Sequence, residues 1–441
     1  MKRNAEKIRM RCILMAVLSL LTALTVSWPC AEGQQLPPHY AVTALGTLGG
    51  DLSNAAGIND NGFVFGDANL PGNANEHATV WRNGVITDLG TLGGPNSSIG
   101  FVAKPNDTGL ITGNAQTGTV DPLGENWGLV FGCAANGTPC QGSQYLTLGF
   151  AWQNGTIRPL PTLGGNNALA FGGANEQGQI VGTAETATRD PNCIAPQVLD
   201  LEAVVWGPKP GEIQEFPPLP GDSIGIASGI NDVGQVIGAT GICGSPAIGF
   251  SLAVHAVLWQ NGSVTNLGSL GGVMNNVATA INNRGQVVGL SDLAGDATAH
   301  AFLWQDGVMT DLGTVPGDFF SVAYGINDKS QVVGQSCDVN FNCRAFVWEN
   351  GVMTDLNTLI SSNSSPYLLD AEGINSSGEI VGNAFDQNSG DVLGFLAFPK
   401  SSASETPPAE QIRDNVILPE KVRRLFQHRG FGRFGRVLGV Q

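Results

Sequence analysis

Three histidines, His77, His255 and His300, stand at the same place in near-copies of one segment: "HATVWRNGVITDLG", "HAVLWQNGSVTNLG" and "HAFLWQDGVMTDLG". A recurring imidazole could ligate a metal or move a proton. The equivalent place holds Glu202 and Arg344 in other copies, so one chemistry cannot be repeated around the chain. A hydrogen bond within the local strand pair is the simpler role. A second set is Asp121, Glu125, Trp127 and Tyr145, gathered in one long insertion; acids beside aromatics suit a sugar or peptide ligand. A third is "CDVNFNC", in which Asp338, Asn340 and Asn342 alternate as oxygen donors do in calcium loops. It lacks the following Gly and the distal bidentate Glu of such loops, so a polar loop clipped by a disulfide competes with Ca2+. No other cofactor is implied. Nucleophile-elbow, phosphate-loop and HExxH motifs are absent, which leaves no catalytic residue to name.

Six cysteines follow the N-terminal segment: Cys133, Cys140, Cys193, Cys243, Cys337 and Cys343. None has zinc spacing to a histidine, and an even number in an exported chain points to disulfides. Proximity pairs Cys133 with Cys140 and Cys337 with Cys343. Cys193 and Cys243 remain for each other.

The elements that must position these residues are written in repeats. "INDxGQVVG" and its variants begin at Ile58, Pro105, Ala174, Ile230, Ile281, Ile326 and Ile374. The second residue is Asn and the last is Gly in all seven copies. Each copy contains four short runs rich in Val, Ile, Phe, Leu and Thr, as strands should be. Asn-Asp-x-Gly separates the first two, and Asn-Gly or Asp-Gly separates the last two in five copies; both dipeptides tolerate the positive φ of tight hairpins. Four antiparallel strands per 45–50 residues match a propeller blade. The seventh copy ends at Phe398 without a fourth strand, whereas "YAVTALGTLGG" at Tyr40 is a fourth strand without a copy. The fold expected is therefore all-β, a seven-bladed propeller closed by its N-terminal strand.

The repeated His-Ala-Phe strand, with "INxxGQVVG" and "DLGTLGG", resembles the extracellular HAF repeat family of bacterial proteins, over roughly Tyr40 to Phe398. The resemblance implies export and a propeller-like fold and supplies no catalytic residues.

Composition agrees with a chain of strands and turns: 61 of 441 residues are Gly, 42% are hydrophobic and 13% are charged. Lys2, Arg3, Lys7, Arg9 and Arg11 precede an apolar run from Cys12 to Trp28, the pattern of a secretory signal over residues 1–33. A secreted, extracellular or periplasmic protein with no stable membrane span after cleavage is expected. The propeller should occupy 34–399. Between Gln34 and Pro399 there are 8 Lys and Arg against 31 Asp and Glu, a difference of −23, which disfavours nucleic acid. The remainder, 400–441, is basic and is expected to be a disordered tail. A monomeric binding module for an extracellular glycan or protein is the function implied, with the ligand placed on the long-loop face of blades two to four. An extracellular carbohydrate-active enzyme, hydrolase or lyase, and a purely structural surface or matrix protein are the alternatives.

Overall fold

The computed structural model describes residues 38–99, 106–130, 144–243, 253–360, 366–400 and 416–426. Seven antiparallel sheets follow one another along the chain. Blade one is typical, with strands Ser53–Ile58, Val64–Asn69, Glu76–Arg82 and Val85–Asp88 in that spatial order. Blades two to six span 93–159, 164–216, 224–266, 271–313 and 320–355. Blade seven takes its outer strand from the other end of the chain: Tyr40–Ala44 pairs antiparallel with Phe395–Pro399, Tyr40 opposite Pro399. The backbone N–H of Lys400 adds a bond to the His39 carbonyl at 2.7 Å. Closure from both termini leaves no open first or last blade.

The Gly that ends each motif copy sits where the second strand passes closest to the first. A Cβ on Gly66 would lie 1.8 Å from the Asn54 carbonyl oxygen, and on Gly334 2.0 Å from that of Val322. The same clash recurs at Gly113, Gly182, Gly238, Gly289 and Gly382. Any side chain there would part the two innermost strands, which accounts for Gly in all seven copies.

The Asn of the motif does two jobs. Asn59 Oδ1 accepts from the N–H groups of Asn61 and Phe63, which holds the tight turn. Its Nδ2 donates to the Asn106 carbonyl of the next blade at 3.1 Å. The pattern continues through Asn106, Asn175, Asn231, Asn282 and Asn327 to Asn375, which donates to the Asn59 carbonyl at 3.2 Å. Seven buried amides thus form a closed belt. Buried amides left unpaired would each be costly, so the belt both satisfies them and registers the blades.

Residues 416–426 lie within the span expected to be disordered, and they are docked. Leu418 and Val422 are buried with Phe320, Tyr367, Phe385 and Val392 of blades six and seven. Asn342 Oδ1 accepts from the Leu418 N–H at 2.9 Å, and Lys421 donates to the Gly390 carbonyl. The local reason is apolar: Val416, Leu418 and Val422 cover hydrophobic surface that a purely basic tail would leave wet.

Candidate functional site

Three of the four residues expected to bind a ligand hold the long loops together. Trp127 has no exposed surface, and its Nε1 donates to Gln197 Oε1 of blade three at 2.9 Å. Glu125 is equally buried; its Oε1 accepts from Val198 N, Leu199 N and Gln197 Nε2. Asp121 accepts from the N–H groups of Leu123 and Glu125 and from Asn167 Nδ2. Tyr145 begins a strand of the same blade, half-buried, with its backbone opposite Val120. The insertion brings three of the four together as an inter-blade clasp, and Trp127 offers no face to a ligand.

The clasp includes a second buried acid, Glu185, whose Oε1 accepts from the same Gln197 Nε2 at 2.8 Å. Burial, and then the charge of Glu125, push Glu185 up to about 8. Glu185 therefore keeps its proton near neutrality.

The clipped loop has the Cys337–Cys343 disulfide expected, joining residues directly opposite across two strands. Asp338 Oδ1 accepts from the N–H groups of Asn340 and Asn342, and its Oδ2 from Asn342 Nδ2. These oxygens serve the turn, and Asn342 holds the docked tail segment. Cys193–Cys243 is the second bridge, tying the long loops of blades three and four. Asp190 lies near its sulfurs, but both are committed to the disulfide. Cys133 and Cys140 lie outside the described residues, as does the expected signal segment.

The three histidines do pair within their surroundings. His77 Nδ1 lies 2.9 Å from Asp88, His300 Nδ1 2.9 Å from Asp311, and His255 Nδ1 2.8 Å from Asp222. Arg344 stands 3.1 Å from Asp318.

A feature that sequence reading missed lies on the axis. Inner strands of six blades enclose a cavity of about 470 Å³, counted with its open mouth. Ile58, Ile230, Ile281, Ile326 and Ile374 line it, with backbone of Gly57, Gly229, Gly325 and Gly373. Each isoleucine is followed by a belt Asn and then by a polar residue. Those residues, with Asp107 and Glu176 of the other two copies, form a second chain of bonds outside the belt. The Asp60 N–H donates to Asp107 Oδ1, Asp107 to Glu176, Glu176 to Asp232, Asp232 to Asn283, Asn283 to Asp328, and Ser376 back to Asp60. Five carboxylates thus collar the tight-turn end. The signal was present in the motif, since its third residue is acidic in five of seven copies.

Glu372 and Tyr324 face the cavity from neighbouring blades. Tyr324 donates to Gln335, and burial followed by the charges of Asp370 and Glu372 pushes its hydroxyl well above the usual range. That is the opposite of an activated phenolate.

Fold and cavity define a closed seven-bladed β-propeller. No protein family's sequence pattern matches this chain, and no curated protein matches it in sequence. Similar solved structures include Porphyromonas gingivalis dipeptidyl peptidase 4, at 12% identity and TM-score 0.36 over 75% of this chain and 50% of that one. Trypanosoma rangeli sialidase is similar at 8% identity and TM-score 0.35 over 80% of this chain and 54% of that one. The PQQ-bound aldose sugar dehydrogenase of Streptomyces coelicolor is similar at 11% identity and TM-score 0.32, over 82% of this chain and 100% of that one. The chain spans about half the length of the peptidase and sialidase. At these scores the likenesses carry no functional argument. No helix among the described residues is long and apolar enough to cross a membrane. Two disulfides are compatible with an extracellular or periplasmic location.

Proposed function

We propose that this chain is an exported binding module whose ligand enters the axial cavity from the tight-turn face. The axial cavity carries this reading. Its walls present five isoleucines, with Thr279, Tyr324 and Glu372 among them, on a rigid frame. The collar of Asp60, Asp107, Glu176, Asp232 and Asp328 is held by backbone N–H groups, so it meets a ligand without reordering. Apolar walls inside an acidic rim favour a ligand with an aliphatic body and a positive end. A protein or peptide presenting Lys or Arg fits better than a neutral glycan, which would want an exposed aromatic platform.

Hydrolysis of a glycan would need two carboxyl groups across the site. Among the described residues lining the cavity, Glu372 is the one carboxylate. Export is supported by the basic and apolar N-terminal segments, the disulfides and the resemblance to HAF repeats. Parallel peptide and glycan arrays probed with the mature chain test the reading. Salt-sensitive binding to basic, aliphatic peptides is expected. Binding to neutral glycans alone, or cleavage of one, would overturn it.

A further inference from the structure

The repeats can be superimposed residue by residue through the Trp that ends each third strand. Four residues before that Trp stand His77, His255, His300 and Arg344. In three of these blades the residue opposite the Trp−2 position is a carboxylate: Asp88 pairs with Thr79, Asp311 with Phe302 and Asp355 with Phe346. His77 and His300 contact that carboxylate directly, and Arg344 lies 3.8 Å from it. His255 faces Asn266 there and turns to Asp222 instead. Each of these four blades sets a cation-forming side chain against an acid.

Blade three breaks the pattern. Its Trp206 places Glu202 at the cation position, and Glu215, paired with Val204, at the acid position. Asp200, two residues before Glu202, points to the same face of the strand. Three carboxylates thus gather where sister blades have a charge pair, and none makes an ion pair among the described residues. Glu202 is 8% exposed, and its Oε2 is buried, with no hydrogen-bond partner among the described residues. That oxygen lies against Gly225 of blade four. A buried carboxylate oxygen without a donor is costly unless the group takes up a proton or a cation meets it.

We propose that Asp200, Glu202 and Glu215 form a divalent-cation site in which a metal ion takes the place of the imidazolium or guanidinium of the sister blades. The donors are all carboxylate oxygens, with no His or Cys among them, so the ion belongs to the hard class of Ca2+. The three groups do not lie within 4.8 Å of one another. Glu215 is exposed, so its side chain can swing toward the fixed Glu202, whereas Asp200 Oδ1 accepts from the Leu201 N–H at 2.9 Å and leaves Oδ2 for the ion. Burial, together with the neighbouring acids, pushes Glu202 up to about 8; burial also raises Asp200, to about 6.

The test uses the full mature chain, stripped with EDTA and titrated with CaCl2 by calorimetry, alongside thermal unfolding with and without Ca2+. Saturable binding and a raised Tm are expected for the wild type. Glu215→Gln, on the surface, should fold normally and bind at least tenfold more weakly. Glu202→His restores the sister-blade pairing, and it should fold with no Tm response to Ca2+. No saturable binding by the wild type would overturn the proposal. So would an unchanged Ca2+ response in both variants, including one abolished instead by Asp338→Asn. Because neither substitution touches the axial cavity, failure here leaves the peptide-binding reading standing, and the reverse.

Discussion

Replacing Glu125 by Gln should flatten the stability loss this protein undergoes between weakly acidic and alkaline pH. Glu125 and Glu185 are fully buried and share the Gln197 amide, at 3.2 and 2.8 Å. Burial first, and then the Glu125 charge, raise Glu185 from 4.5 to about 8, against three hydrogen bonds that lower it. Between those values the native state holds a proton that the unfolded chain has released. Stability therefore falls as pH rises through this window and levels off above about 8. At about 1.4 kcal/mol per unit, the whole window amounts to at most ~5 kcal/mol. Burial remains in the variant and the Glu125 charge, the smaller cause, is removed. The expected gain is roughly 1–2 kcal/mol at pH 8 and close to none at pH 5. Gln suits the site, because its Oε1 keeps the donors from Gln197, Val198 and Leu199. Its NH2 replaces Oε2, which has no hydrogen-bond partner among the described residues. Urea midpoints followed by tryptophan fluorescence at pH 5 to 9 would measure the effect. Parallel curves for the two proteins, or a variant weaker at every pH, would refute the reasoning that Glu185 holds a proton raised by the Glu125 charge.

Three further outcomes are expected. Trp127→Ala should destabilise the fold by about 3–5 kcal/mol in denaturant titration, as a large buried side chain does; a change within 0.5 kcal/mol would mean that the clasp is ornamental. Asn282→Ala removes a belt donor to the Asn327 carbonyl and the acceptor for the N–H groups of Arg284 and Gln286, and should cost about 2–3 kcal/mol by the same assay. Deleting residues 40–46 strips the outer strand from blade seven, so amide exchange along Val392–Pro399 should accelerate by orders of magnitude while blade four is little changed. Uniform acceleration would show that the ring melts only as a whole.

The repeat architecture was legible because strand periodicity, hairpin dipeptides and one unmatched strand at Tyr40 all speak through local chemistry. The two observed disulfides followed from proximity and elimination. Trp127 was not legible in the same way. An aromatic in a long loop looks alike whether it faces solvent or Gln197, and only the neighbouring blade's loop decides. The Asn belt left a trace, since a turn alone tolerates Asp or Ser where all seven copies have Asn. The docked segment at Leu418 and Val422 was masked by the surrounding basic residues, which dominate its composition but not its buried side.

The central claim is that binding resides in the axial cavity. Ala280 lines that cavity and is partly exposed in it, so Ala280→Trp fills the space from one wall. The most direct measurement is the affinity of a basic, aliphatic peptide selected on the array, for the wild type, Ala280→Trp and Tyr145→Ala. The expected result is a loss of at least tenfold for Ala280→Trp at unchanged Tm, with Tyr145→Ala binding like the wild type. Full affinity in the cavity-filled protein, together with loss in Tyr145→Ala, would contradict the account and return the site to the long-loop face.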